Sequence, residues 1–294
     1  MTLAIGIGLP VVQQLPTQTQ AWERDAGPDE IVAVARAADR LGFAWVTCSD
    51  HVAVPAGYAA SMGATWYEPA TTLAFVAAAT HRVRLLSHVL VLPYRHPLTA
   101  AKLYATLDRL SGGRAIIGAG SGHLKPEFRS LGLDHAARAA MSDEYLDALA
   151  TALENDVSSF NGRFVSWRDM MVAPRPIQTP RPPLWVGGNT PAMARRAGRR
   201  GDGWIPWQIA RADFVERAAL ARDAHAASGR GGSFTVVAPV AAGRVEHTQA
   251  LIDLVADWRA AGADAVHLGL THDGPAHLIE LLERVAGEVF PAVA

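Results

Sequence analysis

Short runs of apolar and β-branched residues alternate with longer amphipathic segments along almost the whole chain. The first two runs are Ala4–Gly8 and Trp45–Ser49, and between them Asp29–Leu41 has apolar residues at helical spacing and ends at Gly42. The runs are too short for helices, and their continuous apolar character is typical of strands that are covered on both faces. Strands and helices that alternate in this way form βα units around a parallel sheet.

The alternation repeats eight times, which predicts an α/β fold of the single-domain (β/α)8 or TIM barrel type over residues 1–294. Such barrels typically contain about 250 residues, so the length fits one domain. The alternation of strand-like and helix-like segments is absent over Asn155–Pro183, so we expect an insertion between helix 4 and strand 5 that packs outside the barrel. The other strands are predicted at 83–92, 115–118, 184–186, 203–206, 234–240 and 265–268, and the other helices at 69–80, 97–110, 138–153, 191–200, 214–228, 247–261 and 276–290.

The charge balance and the cysteine count exclude several classes of function. The chain has 27 basic and 28 acidic residues, so we expect neither nucleic acid nor an anionic membrane as a partner. No apolar stretch reaches the roughly 18 residues that span a bilayer, and the segment MTLAIGIGLP lacks the pattern of a secretion signal. Cys48 is the only cysteine, which excludes an internal disulfide and a cysteine metal cluster. We therefore expect a cytoplasmic protein without a bound metal.

The active site of such a barrel is built at the C-terminal ends of the strands. The second strand ends at Ser49-Asp50-His51, which places an acid and an imidazole at the mouth of the barrel. Such a pair could position and tune a proton donor beside a reacting atom. In the alternative interpretation Asp50 caps the following loop and His51 is a surface or packing residue.

Two glycine-rich turns follow later strands. The turn Gly118-x-Gly120-x-Gly122 does not have its third glycine at the spacing of a dinucleotide fingerprint, and it lacks the acidic residue of that motif. Its glycines could still let the backbone approach a flat ligand closely. Gly187-Gly188-Asn189 leads into a helix that starts at Pro191, which is a good geometry for holding a phosphate. Each turn could equally be an ordinary connection, a tight βα turn in the first case and a capped helix in the second.

Several aromatic side chains and histidines lie near the predicted strand ends. His88 stands inside an apolar strand, where a histidine is more often a hydrogen-bonded core residue than a ligand. Trp66, Tyr67 and Trp207 could wall a pocket or simply cover the barrel mouth, and His272 follows the eighth strand. There is no HExxH motif and no clustered set of histidines and carboxylates that argues for a metal.

Three segments together carry a resemblance to a known family. They are RVRLLSHVLVLPYRHP at 82–97, LDRLSGGR at 107–114 with the Gly118–Gly122 turn and Glu127-Phe128, and PLWVGG at 183–188 with GDGW at 201–204. In this order and spacing they resemble the bacterial luciferase-like monooxygenases, in particular the branch of F420-dependent oxidoreductases. The resemblance extends from Ile5 to about Leu268.

The resemblance implies a cofactor that lies across the barrel mouth, with its ring over a non-proline cis peptide at His88–Val89. It implies that the turn at 121–123 flanks the ring, that Gly187-Gly188 holds the phosphate, and that His51 lies near the reactive carbon and is oriented by Asp50. The cofactor contacts that it implies are Asp50, His51, Ser87, His88, Val89, Gly120, Ser121, Gly122, His123, Gly187, Gly188 and Asn189.

Two positions depart from the family pattern. His88 stands where many relatives have glycine or another small residue, and His123 stands where sugar-phosphate dehydrogenases of this branch have a glutamate. A sugar-phosphate substrate is therefore not expected.

Our hypothesis is hydride transfer between the deazaflavin coenzyme F420 and a small organic substrate, with His51 and Asp50 as catalytic residues. The expected substrate pocket consists of Trp66, Tyr67, Trp207 and His272. One alternative is an FMN-dependent monooxygenase, which uses oxygen and needs a flavin reductase as partner. Another is a barrel that binds a ligand or cofactor without turnover, and a third is a non-redox enzyme for a phosphorylated substrate. The resemblance also implies a homodimer.

Overall fold

A closed parallel barrel forms the centre of the molecule in a computed structural model that describes residues 3–293. The strand order around the barrel is β3-β2-β1-β11-β10-β9-β8-β5, and pairing of β3 and its continuation β4 with β5 closes the ring. The predicted (β/α)8 fold is therefore confirmed. The barrel strands are β1 (Ala4–Gly8), β2 (Trp45–Cys48), β3 (Arg84–Ser87), β4 (Leu90–Val91), β5 (Ala115–Gly120), β8 (Leu184–Gly187), β9 (Gly203–Ile205), β10 (Thr235–Gly243) and β11 (Ala265–Leu270).

Helices surround the barrel and cover the outer face of its strands. No helix in the described range is both long enough and apolar enough to cross a membrane. The helices are α1 (Pro28–Leu41), α2 (Ala59–Met62), α3 (Pro69–Ala79), α4 (Pro97–Ser111), α5 (Lys125–Ser130), α6 (Arg138–Glu154), α7 (Pro191–Arg200), α8 (Arg211–Ser228), α9 (Thr248–Ala260), α10 (Pro275–Arg284) and α11 (Phe290–Ala292), with a π-helical turn at Val285–Val289 between the last two.

Two tryptophans fill the interior of the barrel. Trp45 and Trp185 meet edge to face, with ring centroids 5.3 Å apart. A Cβ on Gly6 would lie 2.1 Å from the Trp45 ring, so the glycine leaves the space that the indole needs. The interior is thus a packed core rather than a pore, and any ligand must bind at its mouth. The interior cluster is Trp45, Leu86, Ile116, Trp185, Ile205, Val237 and Ala265.

The third strand differs from its prediction. It is not continuous over 83–92 but stops at Ser87 and resumes at Leu90, with a bulge between them. The peptide bond His88–Val89 in this bulge is cis, which confirms the expectation from the family resemblance. An apolar sequence looks the same in a continuous and in an interrupted strand, so periodicity gave no sign of the break.

The segment LDRLSGGR in the hallmark region has a structural role. Arg114 is buried, and its guanidinium donates to Thr80 Oγ1 at 2.9 Å and to the carbonyls of Thr80, Val83, Ala77 and Ser111. These bonds tie the end of α3 to β3 and β5. A buried guanidinium is tolerated only when its donors have partners, and here the carbonyls of two βα units supply them.

The insertion is confirmed as a unit apart from the barrel sheet. Its centre is an antiparallel hairpin of β6 (Ser158–Asn161) and β7 (Ser166–Met170). Glu144 on α6 anchors the hairpin by accepting from the backbone N–H groups of residues 163, 164 and 165 at 2.7–2.9 Å. The short helix α5, which the sequence analysis did not predict, lies after β5 and brings Glu127 to the barrel mouth.

Candidate active site at the mouth of the barrel

The carboxylate of Glu127 is the centre of a buried polar cluster. Its Oε2 accepts from His51 Nδ1 and from the Tyr94 hydroxyl, both at 2.8 Å. Its Oε1 accepts from the backbone N–H groups of Val52 at 2.6 Å and Ala53 at 3.1 Å. The Glu127 side chain is 1% exposed, so these four donors replace the water that a free carboxylate would have.

These contacts keep Glu127 ionised. Burial alone would raise its pKa, but the hydrogen bonds from His51, Tyr94 and the Ala53 N–H outweigh burial and hold the pKa below 4.5. Burial and the Glu127 charge together raise the pKa of Tyr94, which therefore remains a donor. An anionic acceptor at Nδ1 favours the tautomer of His51 that carries its proton there. The second ring nitrogen, Nε2, is then left to exchange a proton with another group.

His51 is enclosed by two of the side chains that the sequence analysis singled out. Its ring meets Trp66 edge to face at a centroid distance of 4.5 Å, and it meets His123 at 5.6 Å. Burial and the neighbouring His51 lower the pKa of His123. The structure therefore brings together His51, Trp66 and His123 in one cluster beside the turn after β5.

The expected orientation of His51 by Asp50 is wrong. Asp50 is buried and accepts from Arg95 at 2.6 and 3.0 Å and from the Val91 N–H at 2.9 Å. Asp50 is bonded to β4 and Arg95 while His51 is bonded to Glu127, so the two adjacent side chains have separate partners. Asp50 thus fixes the resumed part of the third strand, and Glu127 orients the histidine.

The bulge in the third strand explains three of the glycines. Val89 lies in a notch between Gly120 and Gly187, where an added Cβ would come within 2.5 and 2.7 Å of its methyl groups. A Cβ on Gly118 would lie 1.9 Å from the carbonyl oxygen of Ser87. The Ser87 hydroxyl bonds both the N–H and the carbonyl of Gly118 at 3.0 Å. The small residues are therefore needed to seat the bulge, whatever ligand lies above it.

The turn at Gly187-Gly188-Asn189 joins two strand ends. The Asn189 side chain accepts from the Trp207 N–H at 2.9 Å and donates to the Trp207 carbonyl, so its amide is already used within the protein. Gly188 has φ of 119°, and its carbonyl accepts from Trp204 Nε1 at 2.8 Å. Arg217 donates to the Asn189 carbonyl at 2.9 Å, which places a guanidinium beside the turn. No sequence motif pointed to Arg217.

The neighbouring residues of the two predicted turns also have partners in the fold. Ser121 accepts at 3.2 Å from Arg196, a buried residue of α7. Gly122 has φ of 70° and faces Val91 and Phe128, which leaves no room for a side chain. Backbone groups at the mouth, rather than the Asn189 or Ser121 side chains, are therefore what this region presents to a ligand.

A cavity of about 410 Å³ opens at the mouth between the ends of β1, β2, β10 and β11. This volume lies within the range of small-molecule sites. Of the four expected pocket residues, Trp207 and His272 line it. Trp66 and Tyr67 do not line it, and Trp66 instead packs on His51.

Three histidines line this cavity, and one of them was not predicted. His88 meets His267 edge to face at 4.9 Å and Trp207 at 5.9 Å. His272 lies at the opposite side and accepts from Trp22 Nε1 at 3.1 Å. The only sequence signal for His267 was a polar residue inside the last apolar strand.

The cavity histidines are neutral at pH 7. Burial lowers the pKa of His88 and of His272 to about 4, and burial and the neighbouring His88 lower that of His267 well below 6.5. Trp45 Nε1 donates to Nδ1 of His267 at 3.3 Å, as Trp22 does to His272. A neutral imidazole that accepts at Nδ1 carries its proton on Nε2. His267 and His272 are therefore hydrogen-bond donors at Nε2.

A parallel barrel with polar groups and a ligand cavity at its C-terminal mouth has the architecture of the TIM barrel enzymes. Residues 4–279 match the luciferase-like monooxygenase family, and the chain belongs to it. Monooxygenases are oxidoreductases, and the family match places the chain in this class.

Two relatives show how far the similarity reaches. The chain is 31% identical over 209 residues to the FMNH2-dependent dimethylsulfone monooxygenase of Pseudomonas putida, a match that covers 70% of this chain and 53% of that protein. It thus spans about half the length of that relative. It is 29% identical over 272 residues to an uncharacterized protein of Mycobacterium tuberculosis, a match that covers 87% of this chain and 93% of the relative.

Solved structures share the fold at lower identity. Monooxygenase RslO1 from Streptomyces bottropensis superposes with a TM-score of 0.81 at 22% identity and covers 99% of this chain and 100% of its own. An F420-dependent secondary alcohol dehydrogenase, in complex with an F420-acetone adduct, superposes with a TM-score of 0.79 at 16% identity over 100% of both chains. The fold therefore occurs in a monooxygenase and in an F420-dependent dehydrogenase, and the family assignment does not choose between these activities.

The buried histidines predict a stability that falls in mild acid. Because burial lowers the pKa of His272 from 6.5 to about 4, the unfolded chain binds a proton there in this pH range and the folded chain does not. This contribution to the free energy of unfolding is present above pH 6.5 and is lost as the pH falls towards 4. In the wild type the free energy of unfolding, measured with urea, should decrease between pH 7.5 and pH 5. His272→Gln, which can still accept from Trp22, should make this decrease smaller by up to about 2 kcal/mol.

A control for this experiment is His247→Gln, which changes an exposed histidine outside the cavity. The control should show the same decrease in unfolding free energy between pH 7.5 and pH 5 as the wild type. If His272→Gln shows the same decrease as well, the His272 ring is not held neutral by its surroundings.

Proposed function

We propose that the protein is an F420-dependent oxidoreductase that transfers a hydride between the deazaflavin and a small organic substrate. The observation that carries this proposal is the buried Glu127–His51 pair, which holds one imidazole nitrogen and leaves the other at the barrel mouth. When bound, the deazaflavin supplies or takes up the hydride. The protein supplies the orientation, the exclusion of water and the movement of a proton.

The residues at the mouth fit such a cofactor. His88 is 7% exposed and faces the cavity, and its ring nitrogens have no hydrogen-bond partner among residues 3–293. The ring nitrogens of His88 are therefore free to bond to a ligand in the cavity. The bulge at 87–89 and the turn at 120–123 would contact the ring system. Gly187, Gly188 and the start of α7 would hold the phosphate, with the guanidinium of Arg217 nearby.

The proposed role of His51 follows from the proton balance of hydride transfer. When a hydride leaves or reaches a carbon that bears oxygen, a proton must leave or reach that oxygen. Nε2 of His51 takes up or returns this proton, and the anionic Glu127 stabilises the imidazolium that exists in between. Tyr94 and two backbone N–H groups hold Glu127 in place, and Trp66 shields the ring from water. Asp50 positions the third strand and is not part of the proton path.

An FMN-dependent monooxygenase is the second candidate, and the sequence similarity to the dimethylsulfone monooxygenase favours it. This function would consume oxygen and would need a flavin reductase as a partner. Deazaflavins react poorly with oxygen because carbon replaces the ring nitrogen that supports oxygen chemistry. Oxygen uptake during turnover therefore separates the two candidates. A homodimer in the cytoplasm, acting on a small-molecule substrate, remains part of the proposal in either case.

Ligand binding tests the cofactor assignment. Titration of the protein with F420, FMN and NADPH in separate experiments, followed by ligand fluorescence, should show tight binding of F420. Gly188→Trp should weaken that binding at least about tenfold, because even a Cβ there would lie 2.3 Å from Met193 Sδ at a φ that strains any side chain. Gly229→Trp is the matched control, since Gly229 also has positive φ but faces open space.

The three outcomes of the titration have different meanings. F420 binding that only Gly188→Trp weakens supports the deazaflavin assignment. A preference for FMN moves the protein to the monooxygenase function. Binding of neither cofactor contradicts both candidates.

A separate prediction concerns the Glu127–His51 pair. In Glu127→Gln the amide oxygen can keep the bonds to Val52 and Ala53, while the amide nitrogen donates to His51 Nδ1 and moves the ring proton to Nε2. Turnover of F420 with a panel of small alcohols and ketones should fall by about 10²- to 10³-fold, with F420 affinity nearly unchanged. Glu144→Gln is the control, because Glu144 also accepts backbone N–H groups but lies in the insertion. Equal activity of both variants would remove His51 from the mechanism.

A further inference from the structure

The cavity has a wall of neutral hydrogen-bond donors. His267 and His272 each accept an indole N–H at Nδ1, at 3.3 and 3.1 Å, and so each carries a proton on Nε2. Neither Nε2 has a hydrogen-bond partner in the described part of the chain. Both side chains line the cavity and are more than nine-tenths buried. Both Nε2 atoms are accessible from the cavity and are free to donate to an acceptor on a ligand.

The same cavity lacks a positive charge. Within residues 3–293 no lysine or arginine lines it, and Glu23 is its only carboxylate. Glu23 is buried, and its two oxygens accept from the N–H groups of Val11 at 2.7 Å and Gln20 at 2.9 Å. An anion placed here would lose its water, meet no cation and face the charge of Glu23.

The rest of the lining combines apolar side chains with uncharged glutamine, threonine and serine side chains. It includes side chains from β1, from the loop after β1, from β10 and from β11, which would contact the body of a ligand rather than its polar group. These side chains are Ile7, Leu9, Val12, Val240 and Leu268.

We propose that this cavity binds the non-reacting end of a neutral substrate, through a hydroxyl or carbonyl oxygen that accepts from Nε2 of His267 and His272, and that it rejects carboxylates and other anions of the same size. Naming the ligand a substrate rests on the proposed function. The preference for neutral over anionic ligands rests on the cavity alone.

Two probes of similar shape test the charge preference. Cyclohexanone is neutral with an acceptor oxygen, and cyclohexanecarboxylate carries a charge. Saturation-transfer NMR at pH 7.5, with and without F420, should show binding of cyclohexanone in both states. Cyclohexanecarboxylate should bind at least about tenfold more weakly.

Variants identify the residues that carry the preference. His272→Phe should weaken cyclohexanone binding about fivefold or more, because one donor is lost, whereas His272→Gln keeps a donor and should restore most of it. Gln18→Lys introduces a cation at a lining position whose side chain makes no hydrogen bond to residues 3–293, and it should bring cyclohexanecarboxylate binding to or above that of cyclohexanone. His247→Phe, an exposed position outside the cavity, is the control and should behave as the wild type.

Three results would overturn the inference. The first is tighter binding of cyclohexanecarboxylate than of cyclohexanone by the wild type. The second is cyclohexanone binding that His272→Phe leaves unchanged. The third is displacement of cyclohexanone by F420, which would show that the cofactor occupies the site beside His267 and His272. A failure of F420 to bind would contradict the proposed function but would leave the probe preference measurable. The two failures are therefore distinguishable.

Discussion

The buried carboxylate of Glu127 is the interaction on which the arrangement of the mouth depends. Its four donors come from the loop after β2 and from the segment after β4, while the carboxylate itself belongs to α5. An ionised group that is 1% exposed is stable only with all its donors in place, and loss of one partner of such a buried charge typically costs about 3–5 kcal/mol. The requirement to satisfy this charge joins three βα units at one point. The same bonds determine which nitrogen of His51 is free.

The framework under this cluster is built by close packing of backbone. The bulge in the third strand needs Gly118 below Ser87, and it needs Gly120 and Gly187 beside Val89. Asp50 fixes the strand where it resumes, through Arg95 and the Val91 N–H. The bulge in turn carries His88 into the cavity, next to His267. The bulge and glycine residues that the family resemblance implies as cofactor contacts therefore also shape the surface on which a ligand would lie. Their structural role is compatible with contact to a ligand.

The sequence predicted the barrel because the alternation of apolar runs and amphipathic segments is a local signal that repeats. It did not predict the break at Ser87–Leu90 from periodicity, since apolar residues serve both a strand and a buried bulge; only the family resemblance indicated it. Adjacency in the chain suggested that Asp50 orients His51, but the two side chains bond to different partners. The true partner, Glu127, is 76 residues away, and its presence in a hallmark segment was the only signal. His267 was missed because a histidine in a buried strand looks structural until the cavity beside it is known.

The central claim is that Glu127 holds the proton of His51 on Nδ1 and leaves Nε2 without one. The most direct test is a long-range 1H–15N correlation spectrum of protein labelled with 15N-histidine, with His51 assigned by comparison with His51→Asn. The account predicts the Nδ1–H tautomer for neutral His51 and the opposite Nε2–H tautomer for His267 and His272, whose Nδ1 atoms accept from tryptophan. An Nε2–H tautomer at His51 would contradict it, because Glu127 would then not be the acceptor that sets the ring, and the proposed proton path would lose its first step.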